Sequence, residues 1–249
     1  MIFLKTPDQV NGIYEANQIG AEFLQDCFDF IKPGIYTEEL GERALRFCER
    51  KSVRPSFYGY SGFPSPVCVS INEELIHGIP GEREILNGDL VSVDFGVEKD
   101  GYFSDSAFTK CVGEVSKVAK RITDVTKEAL YIGIDAISEG RLNSISEGIY
   151  KHITKNSFDV VREYVGHGVG LDVHESPNVS NYVPKFNVNW KLRSGMVIAI
   201  EPIVVENDFE VETTSNKWTV VTKDGGLSAH FEHSVAILEN EVKVLSAWR

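Results

Sequence analysis

Two stretches of the chain repeat one pattern, Gly88-Asp-Leu-Val-Ser-Val-Asp94 and Gly195-Met-Val-Ile-Ala-Ile-Glu201. Each begins with glycine, continues through residues typical of a buried β-strand and ends in a carboxylate. A spacing of 107 residues separates the two glycines and also the two acids. Burial of an unpaired carboxylate is costly, so two buried strands that end in acids need compensation. A shared cation is the simplest compensation, and the repeat therefore predicts a metal site.

The repeat extends beyond these two strands. The segment from Gly34 to Tyr60 aligns with the segment from Gly140 to Gly166 at an offset of 106 residues, one short of the strand offset. Such self-similarity is typical of two α/β half-domains related by a pseudo-twofold axis. We expect halves at about 1–112 and 113–249. Because no Gly-, Ser- or Pro-rich linker separates them, we predict one domain over residues 1–249, with two lobes and a central cleft.

Capping residues and hydrophobic spacing predict the local elements. Thr6 as N-cap, Pro7 at the first helical position and Gln9 three residues after the cap predict a helix that Pro33-Gly34 ends. A second helix is expected from Thr37. Two further helices are predicted near 118–137 and 144–155. The predicted strands are 67–71, 90–97, 107–112, 160–165, 196–205, 218–222 and 227–238.

The overall composition is that of a soluble globular protein, with 42% hydrophobic and 25% charged residues among 249. We find no apolar run near the ~20 residues of a membrane span and no secretory signal at the N-terminus. The four cysteines show no CxxC spacing, so reduced thiols and a cytoplasmic location are expected. A net charge of −12 argues against nucleic-acid binding.

Asp94 and Asp105 lie on either side of a predicted hairpin. Asp100-Gly101 is the preferred centre of a two-residue turn, and the resulting register places Asp105 opposite Gly96 and diagonal to Asp94. Diagonal residues share a face and lie within about 7–8 Å. The alternative is an exposed face with two solvated aspartates, which the apolar lead-in 91–93 disfavours. We expect room for an ion beside Gly96.

His167 lies in Gly166-His-Gly-Val-Gly170, directly after a predicted strand, and His174 follows seven residues later. The flanking glycines allow close backbone approach and leave the imidazole uncrowded. A lone histidine is more often structural, and glycines can also mark a phosphate loop. However, the spacing is not G-x-G-x-x-G and no lysine follows as in a P-loop. We interpret His167 as a candidate ligand.

Two glutamates complete the candidate set. Glu201 precedes Pro202, which ends regular strand pairing, and alternation places Glu232 on one sheet face with His230 and Ser234. For Glu232 alone, a solvated outward position is the alternative. Two Asp, two Glu and one or two His favour ions such as Mn, Co or Fe over a thiolate zinc site. Four carboxylates exceed what one catalytic ion needs, which favours a two-metal site with bridging carboxylates.

These motifs occur together, and in this order, in a known family: Asn72-Glu-Glu-Leu-Ile-His77-Gly-Ile-Pro80, Asp94-Phe-Gly96 with Asp105, Gly166–Gly170 with His174-Glu-Ser-Pro177, Glu201-Pro202, and Glu232-His233. From about Thr6 to the C-terminus, the chain closely resembles type I methionine aminopeptidases, cytosolic enzymes that trim the initiator methionine from nascent chains. The resemblance implies the α+β pita-bread fold, with antiparallel sheets around a central dinuclear metal cleft.

The resemblance also implies roles for particular residues. Glu201 would shuttle a proton, His174 would hydrogen-bond the scissile carbonyl oxygen, and His77 would contact the scissile amide nitrogen. Asp105 and Glu232 would bridge two divalent ions (Co, Mn, Fe, Zn or Ni). The full ligand set would be Asp94, Asp105, His167, Glu201 and Glu232. The methionine side chain would occupy a cup formed by Tyr60, Phe63, Cys68, Val173 and Trp218.

Three positions depart from the pattern common in that family. Ser61 stands where many bacterial members carry histidine, Val173 replaces a larger aromatic residue, and Ser104 precedes Asp105 where Gly or Ala is frequent. None of them removes a ligand. The change at Val173 is expected to loosen the methionine pocket toward other side chains.

Two alternatives remain open. A prolidase or aminopeptidase P shares the fold, but such relatives usually carry an extra N-terminal domain, and His77-Gly-Ile-Pro80 fits the methionine type better. A non-catalytic interaction protein on the same fold would typically have lost ligands. As partners we expect the N-termini of nascent polypeptides, with the ribosome as a candidate transient partner. We expect a monomer.

Overall fold

The computed structural model describes residues 2–185 and 188–247. Within them, the α-helices are α1 (Pro7–Phe30), α2 (Thr37–Lys51), α3 (Lys117–Asp135) and α4 (Leu142–Lys155). The strands are β1 (Arg54–Pro55), β2 (Cys68–Ile71), β3 (Glu74–Ile76), β4 (Leu90–Phe95), β5 (Val97–Lys99), β6 (Tyr102–Phe103), β7 (Ser106–Cys111), β8 (Asp159–Val160), β9 (Gly166–Gly168), β10 (Glu175–Val179), β11 (Val197–Ile200), β12 (Ile203–Val205), β13 (Val211–Thr213), β14 (Val220–Thr222), β15 (Ser228–His230), β16 (Glu232–Ile237) and β17 (Val242–Val244).

The predicted helices are confirmed, with ends shifted by two residues or fewer. Thr6 and Gln9 form a reciprocal capping box at the start of α1. The helix ends at Phe30, before the Pro33-Gly34 stop. α2 begins at Thr37, as predicted, and its C-cap Ser52 adopts a left-handed conformation. In the second half, the chain continues from α3 through one 3₁₀ turn (Ala136–Glu139) to α4.

The central sheet joins strands from both predicted halves. Its order is β10-β9-β11-β16-β7-β4-β2, with β17 also paired to β16, and the neighbouring strands run antiparallel. The two halves meet where β7 pairs with β16 through only two residue pairs, Ala107 with Glu232 and Ser106 with His233. The division of one domain into halves near residue 112 stays a prediction, and its outer limits, residues 1 and 249, lie outside the described residues.

The predicted hairpin register is confirmed. Asp94 pairs with Ala107, and Lys99 pairs with Tyr102 across the Asp100-Gly101 turn. The prediction that an ion has room beside Gly96 is wrong. A Cβ at Gly96 would lie 2.2 Å from the Ser104 carbonyl oxygen and 2.3 Å from Ser56 Oγ. Glycine at this position therefore permits a close backbone approach, and the ion must lie elsewhere.

Three predicted strands are wrong in extent. The predicted strand 160–165 is reduced to β8, and regular pairing resumes only at β9. The segment 196–205 divides at Glu201-Pro202 into β11 and β12, while 227–238 divides at Phe231 into β15 and β16. The cause is a change of sheet, because β11 and β16 pair in the central sheet whereas β12 lies between β15 and β8 in a separate three-stranded sheet. Glu201 and Glu232 lie at these breaks.

The helices pack on the central sheet through a shared apolar core. Phe23 of α1 lies with its ring centroid 5.2 Å from that of Phe47 on α2 and 4.2 Å from that of Phe95 on β4. These rings are fully buried, so they fix the first two helices against the strand that carries Asp94. Among residues 2–185 and 188–247, none of the helices has the length and apolar character needed to cross a membrane.

Candidate active site

Five neighbouring strands of the central sheet each bring one predicted metal ligand to the junction of the two halves. In the spatial order β9, β11, β16, β7, β4, these residues are His167, Glu201, Glu232, Asp105 and Asp94. One donor atom each from Asp105, His167 and Glu232 lie within 4.8 Å of one another. His167 Nε2 lies 3.4 Å from Glu201 Oε1 and 3.7 Å from Asp105 Oδ2.

His167 is oriented by its glycine neighbours. A Cβ at Gly166 would lie 2.4 Å from the Ala199 carbonyl oxygen, and one at Gly168 would lie 2.6 Å from the Ser176 carbonyl oxygen, so both neighbours must lack a side chain. His167 Nδ1 donates to the Gly168 carbonyl oxygen over 2.9 Å. This bond leaves the lone pair on Nε2, which faces the acids, and that is how a metal-binding imidazole is usually held.

Two of the four carboxyl groups, Asp105 and Glu232, are buried, Asp94 and Glu201 are partly buried, and none has a Lys or Arg partner among the described residues. Asp94 Oδ1, Asp105 Oδ1 and Glu232 Oε1 lack hydrogen-bond partners. Among the described residues, the ion pairs of Asp105, Glu201 and Glu232 are with histidines and not with Lys or Arg. Burial raises the pKa of Asp94 to about 7 and that of Glu201 to about 8, and it raises the pKa values of Asp105 and Glu232 well above their usual range.

A divalent ion would offset the desolvation cost of these carboxylates, because it supplies the positive charge that they lack and is bound by the oxygens that have no hydrogen-bond partner. The neighbouring histidines are in the form that binds metals. Burial lowers the pKa values of His167 and His230 to about 3 and that of His77 to about 4, so all three imidazoles are neutral at pH 7. The residues present therefore fit a divalent metal centre.

A cavity of about 250 Å³ opens over this cluster. Eleven of the twelve residues predicted for the site line it: Tyr60, Phe63, Cys68, His77, Asp94, Asp105, His167, His174, Glu201, Trp218 and Glu232. Four further lining residues, Phe57, Ser61, Ile76 and His230, were not among them. For His230 the signal was its alternation with Glu232. Phe57 and Ile76 carry no comparable signal in the sequence.

One side of the cavity is an apolar cup. Phe57, Phe63, Cys68 and Val173 form a buried cluster, and Trp218 packs edge-on against Phe63 with ring centroids 5.2 Å apart. Val173, which the sequence places in the cup, is in contact with this cluster although it does not line the cavity.

The two remaining predicted histidines lie around the metal cluster. His174 follows β9, with its ring centroid 4.2 Å from that of His167 and 5.3 Å from that of Tyr60. His77 has a φ of 57°, an uncommon conformation for a residue with a side chain. Burial, and next the nearby His174, lower its pKa. Such local strain is often found at functional sites.

The loop that carries His174 is held by the neighbouring Glu175. Glu175 Oε1 accepts hydrogen bonds from the backbone N–H groups of Leu171 and Asp172. Its Oε2 forms a 2.7 Å ion pair with Lys5, and the two side chains are only 6% and 1% exposed. Sequence reasoning missed this pair because 170 residues separate its members.

Residues 11–239 match the sequence profile of metallopeptidase family M24. The chain belongs to metallopeptidase family M24. This M24 peptidase is 46% identical to methionine aminopeptidase 1 of Bacillus subtilis, over 99% of each chain. Its structure superposes on a methionine aminopeptidase from Rickettsia prowazekii with a TM-score of 0.93 and 30% identity, over 99% of this chain and 100% of the other.

The M24 peptidase also shares its fold with more distant proteins. A prolidase from Pyrococcus furiosus superposes with a TM-score of 0.76 at 22% identity, covering 99% of this chain and 66% of the prolidase, a likeness that shows the fold alone. The pita-bread fold and the resemblance to type I methionine aminopeptidases, both expected from the sequence, are confirmed. The M24 peptidase is thus an enzyme that uses divalent metal.

Proposed function

We propose that this M24 peptidase removes the N-terminal methionine from nascent proteins and peptides with a small second residue. The observation that carries the proposal is the junction of the central sheet, where five adjacent strands bring an imidazole and four carboxyl groups, three of them with an unpartnered oxygen, beside an apolar cup. Curated relatives that span the whole chain at up to 46% identity are named methionine aminopeptidases, which supports the same substrate.

Asp94, Asp105, His167, Glu201 and Glu232 would hold two divalent ions. The oxygen-rich donor set suits Mn, Co or Fe. When bound, the ions supply an acidified water and a Lewis acid for the scissile carbonyl. Two ions, rather than one, are proposed because the set holds four carboxylates besides an imidazole.

Glu201 is the proposed proton carrier. Its Oε1 lies 3.4 Å from His167 Nε2 and its Oε2 lies 3.8 Å from His230 Nε2, at the floor of the cavity. Glutamate is one of the side chains that act as general acids and bases when placed within reach of the transferred proton. Glu201 would therefore accept the proton of the attacking water and pass it to the leaving amine.

His174 and His77 are proposed to contact the scissile peptide bond. His174 lies beside His167 at the cavity wall, and burial lowers its pKa, so its neutral imidazole can donate one hydrogen bond to the carbonyl oxygen. Donors placed where negative charge develops lower the barrier more than they stabilise the ground state. His77, on the side of Phe63 and Tyr164, would contact the amide nitrogen.

The apolar cup is the proposed methionine pocket. Phe63 and Trp218 offer aromatic faces and edges to a thioether, and such sulfur–aromatic contacts are favourable. Cys68 lines the cavity, Val173 packs in the same buried cluster, and Tyr60 lines the cavity with 36% of its surface exposed. A charged or branched first side chain would leave polar groups unpaired or voids unfilled in this cup.

The proposed setting is the cytoplasm, with free N-termini as substrates, the ribosome as a transient partner and the protein as a monomer. Its cysteines are free, and three of them are buried, which fits a reducing compartment.

Hydrolysis of Met-Ala-Ser compared with Xaa-Pro peptides tests the proposal. We expect metal-dependent release of free methionine from Met-Ala-Ser and little cleavage of Xaa-Pro. Glu201→Gln should abolish release while circular dichroism stays native, whereas Glu239→Ala, at an exposed acid, should have no effect. Cleavage of Xaa-Pro alone would support a prolidase, and full activity of Glu201→Gln would contradict the mechanism.

A further inference from the structure

One imidazole at the cavity has no role in the proposed set. His230 ends β15 and is 1% exposed, yet its Nε2 has no hydrogen-bond partner. A buried polar nitrogen without a partner is costly, and such groups are rare unless a ligand or ion completes them. His230 Nε2 lies 3.8 Å from Glu201 Oε2 and 4.0 Å from Glu232 Oε2.

The distances from His230 Nε2 to the glutamate oxygens resemble those from His167 Nε2 to its neighbouring carboxylates. Glu201 lies between the two imidazoles, with Oε1 3.4 Å from His167 Nε2 and Oε2 3.8 Å from His230 Nε2. Such separations exceed the 2.7–3.2 Å of a hydrogen bond. They fit donors that share one ion, because metal–ligand bonds of about 2.0–2.2 Å allow donor pairs up to about 4 Å apart.

The backbone holds His230 in place from two sides. Its N–H donates to Thr109 Oγ1 and its carbonyl oxygen accepts from the same hydroxyl, each over 2.8 Å, which joins it to β7. It also pairs with Ile203 of β12, two residues beyond Glu201. The imidazole is therefore presented to the glutamates by the strand that precedes Glu232 and by the strand that follows Glu201.

A second buried histidine shows what a structural role looks like in this protein. His233 Nδ1 is 2.9 Å from Ser246 Oγ, and its Nε2 is 3.4 Å from the Tyr131 hydroxyl. Both ring nitrogens of His233 thus have protein partners, and it does not line the cavity. His230 is also buried but presents a ring nitrogen without a hydrogen-bond partner to two carboxylates.

We propose that His230 Nε2 is a sixth donor to the metal centre, beside the five residues named above. This inference rests on the proposed metal set. A second imidazole enriches an oxygen-rich site in nitrogen, and imidazole favours Co, Ni and Zn relative to Mn. His230 would therefore raise the affinity for those ions and tune the metal preference of this chain.

Metal titration of the full-length, metal-stripped protein tests the inference. Co(II) and Mn(II) are titrated by calorimetry into the wild type, His230→Gln and the matched control His233→Gln. We expect His230→Gln to lose at least about tenfold in affinity for one Co(II) ion, with a smaller loss for Mn(II). His233→Gln should bind both ions like the wild type.

X-ray absorption of the Co(II)-loaded wild type provides a readout that does not depend on whether a variant folds. Two imidazole nitrogens for two cobalt ions would support the inference, and one would overturn it. Unchanged Co(II) affinity in a folded His230→Gln would also overturn it, even if hydrolysis were slower. If the wild type bound no Co(II) and Asp105→Asn behaved identically, the proposed metal centre itself would fail, a result distinguishable from loss of His230 alone.

Discussion

The ion pair between Lys5 and Glu175 links the N-terminal segment to the loop that carries His174. Lys5→Met keeps the length and apolar stem of the side chain but leaves the buried Glu175 Oε2 without its cation. The Lys5 backbone N–H also donates to the Gly195 carbonyl oxygen, so the segment itself stays anchored in the variant. The substitution therefore isolates the loss of charge.

The expected loss of folding stability in Lys5→Met follows from the burial of this ion pair. Removal of one partner from a buried ion pair typically destabilises a protein by about 3–5 kcal/mol. Glu175 Oε1 retains hydrogen bonds from Leu171 and Asp172, which stabilise the remaining carboxylate, so we place the loss at the lower end, about 3 kcal/mol. For a chain of this size, that corresponds to a fall in Tm of roughly 6–12 °C.

A double-mutant cycle measures the interaction free energy between Lys5 and Glu175. Urea unfolding, with chelator present so that metal binding does not contribute, is followed for the wild type, Lys5→Met, Glu175→Gln and the double variant. Glutamine keeps an acceptor for Leu171 and Asp172, so the double variant should recover most of the stability lost in Lys5→Met. A loss below about 1 kcal/mol in Lys5→Met, or a double variant as unstable as the single, would refute the reasoning.

Three further predictions concern packing, specificity and metal removal. Gly96→Ala should destabilise the fold by about 1–3 kcal/mol in urea unfolding, because its Cβ would meet the Ser104 carbonyl oxygen. The control Gly81→Ala has open space around the new Cβ and should be neutral. Equal effects of the two substitutions would contradict the close packing at Gly96. Trp218→Ala should lower kcat/KM for Met-Ala-Ser by about 10–100-fold, because the variant loses one wall of the apolar cup. The control Trp190→Ala should leave kcat/KM unchanged. An unchanged kcat/KM in Trp218→Ala would show that Trp218 does not contact the methionine side chain. In metal-free protein, burial raises the pKa of Asp94 to about 7 and that of Glu201 to about 8, so the folded state keeps protons that the unfolded chain has released. The carboxyls alone make stability fall as pH rises through about 8. The buried histidines, whose lowered pKa values act in the opposite direction, stop contributing only above about pH 7.5, roughly one unit above their unfolded pKa. Stability should therefore fall between about pH 7.5 and 8.5, by up to about 1.4 kcal/mol per unit for each group, and flat or rising stability in urea titrations over that range would oppose this.

Much of the fold was predictable because local signals agreed with tertiary contacts. The capping residues Thr6 and Gln9 marked the start of α1, and the Asp100-Gly101 turn fixed the register of Asp94 and its neighbours. The acid at the end of each repeated strand was informative because a buried carboxylate needs a partner wherever the strand lies.

The remaining features depend on contacts that local sequence does not encode. The segment 196–205 is apolar apart from Glu201-Pro202, and the segment 227–238 has no Gly or Pro near Phe231, so periodicity alone could not show that each divides between two sheets. Alternation placed His230 on the face of Glu232, but its approach to Glu201 requires the pairing of β15 with β12. The ion pair of Lys5 with Glu175 joins distant segments in the same way.

Anomalous diffraction from crystals of protein purified without added metal tests directly whether these five residues hold metal ions. Data collected on both sides of the absorption edges of Mn, Fe and Co would locate any ion and identify its element. We expect two peaks enclosed by Asp94, Asp105, His167, Glu201 and Glu232. Absence of anomalous density there, in crystals of protein that still releases methionine from Met-Ala-Ser, would contradict this expectation.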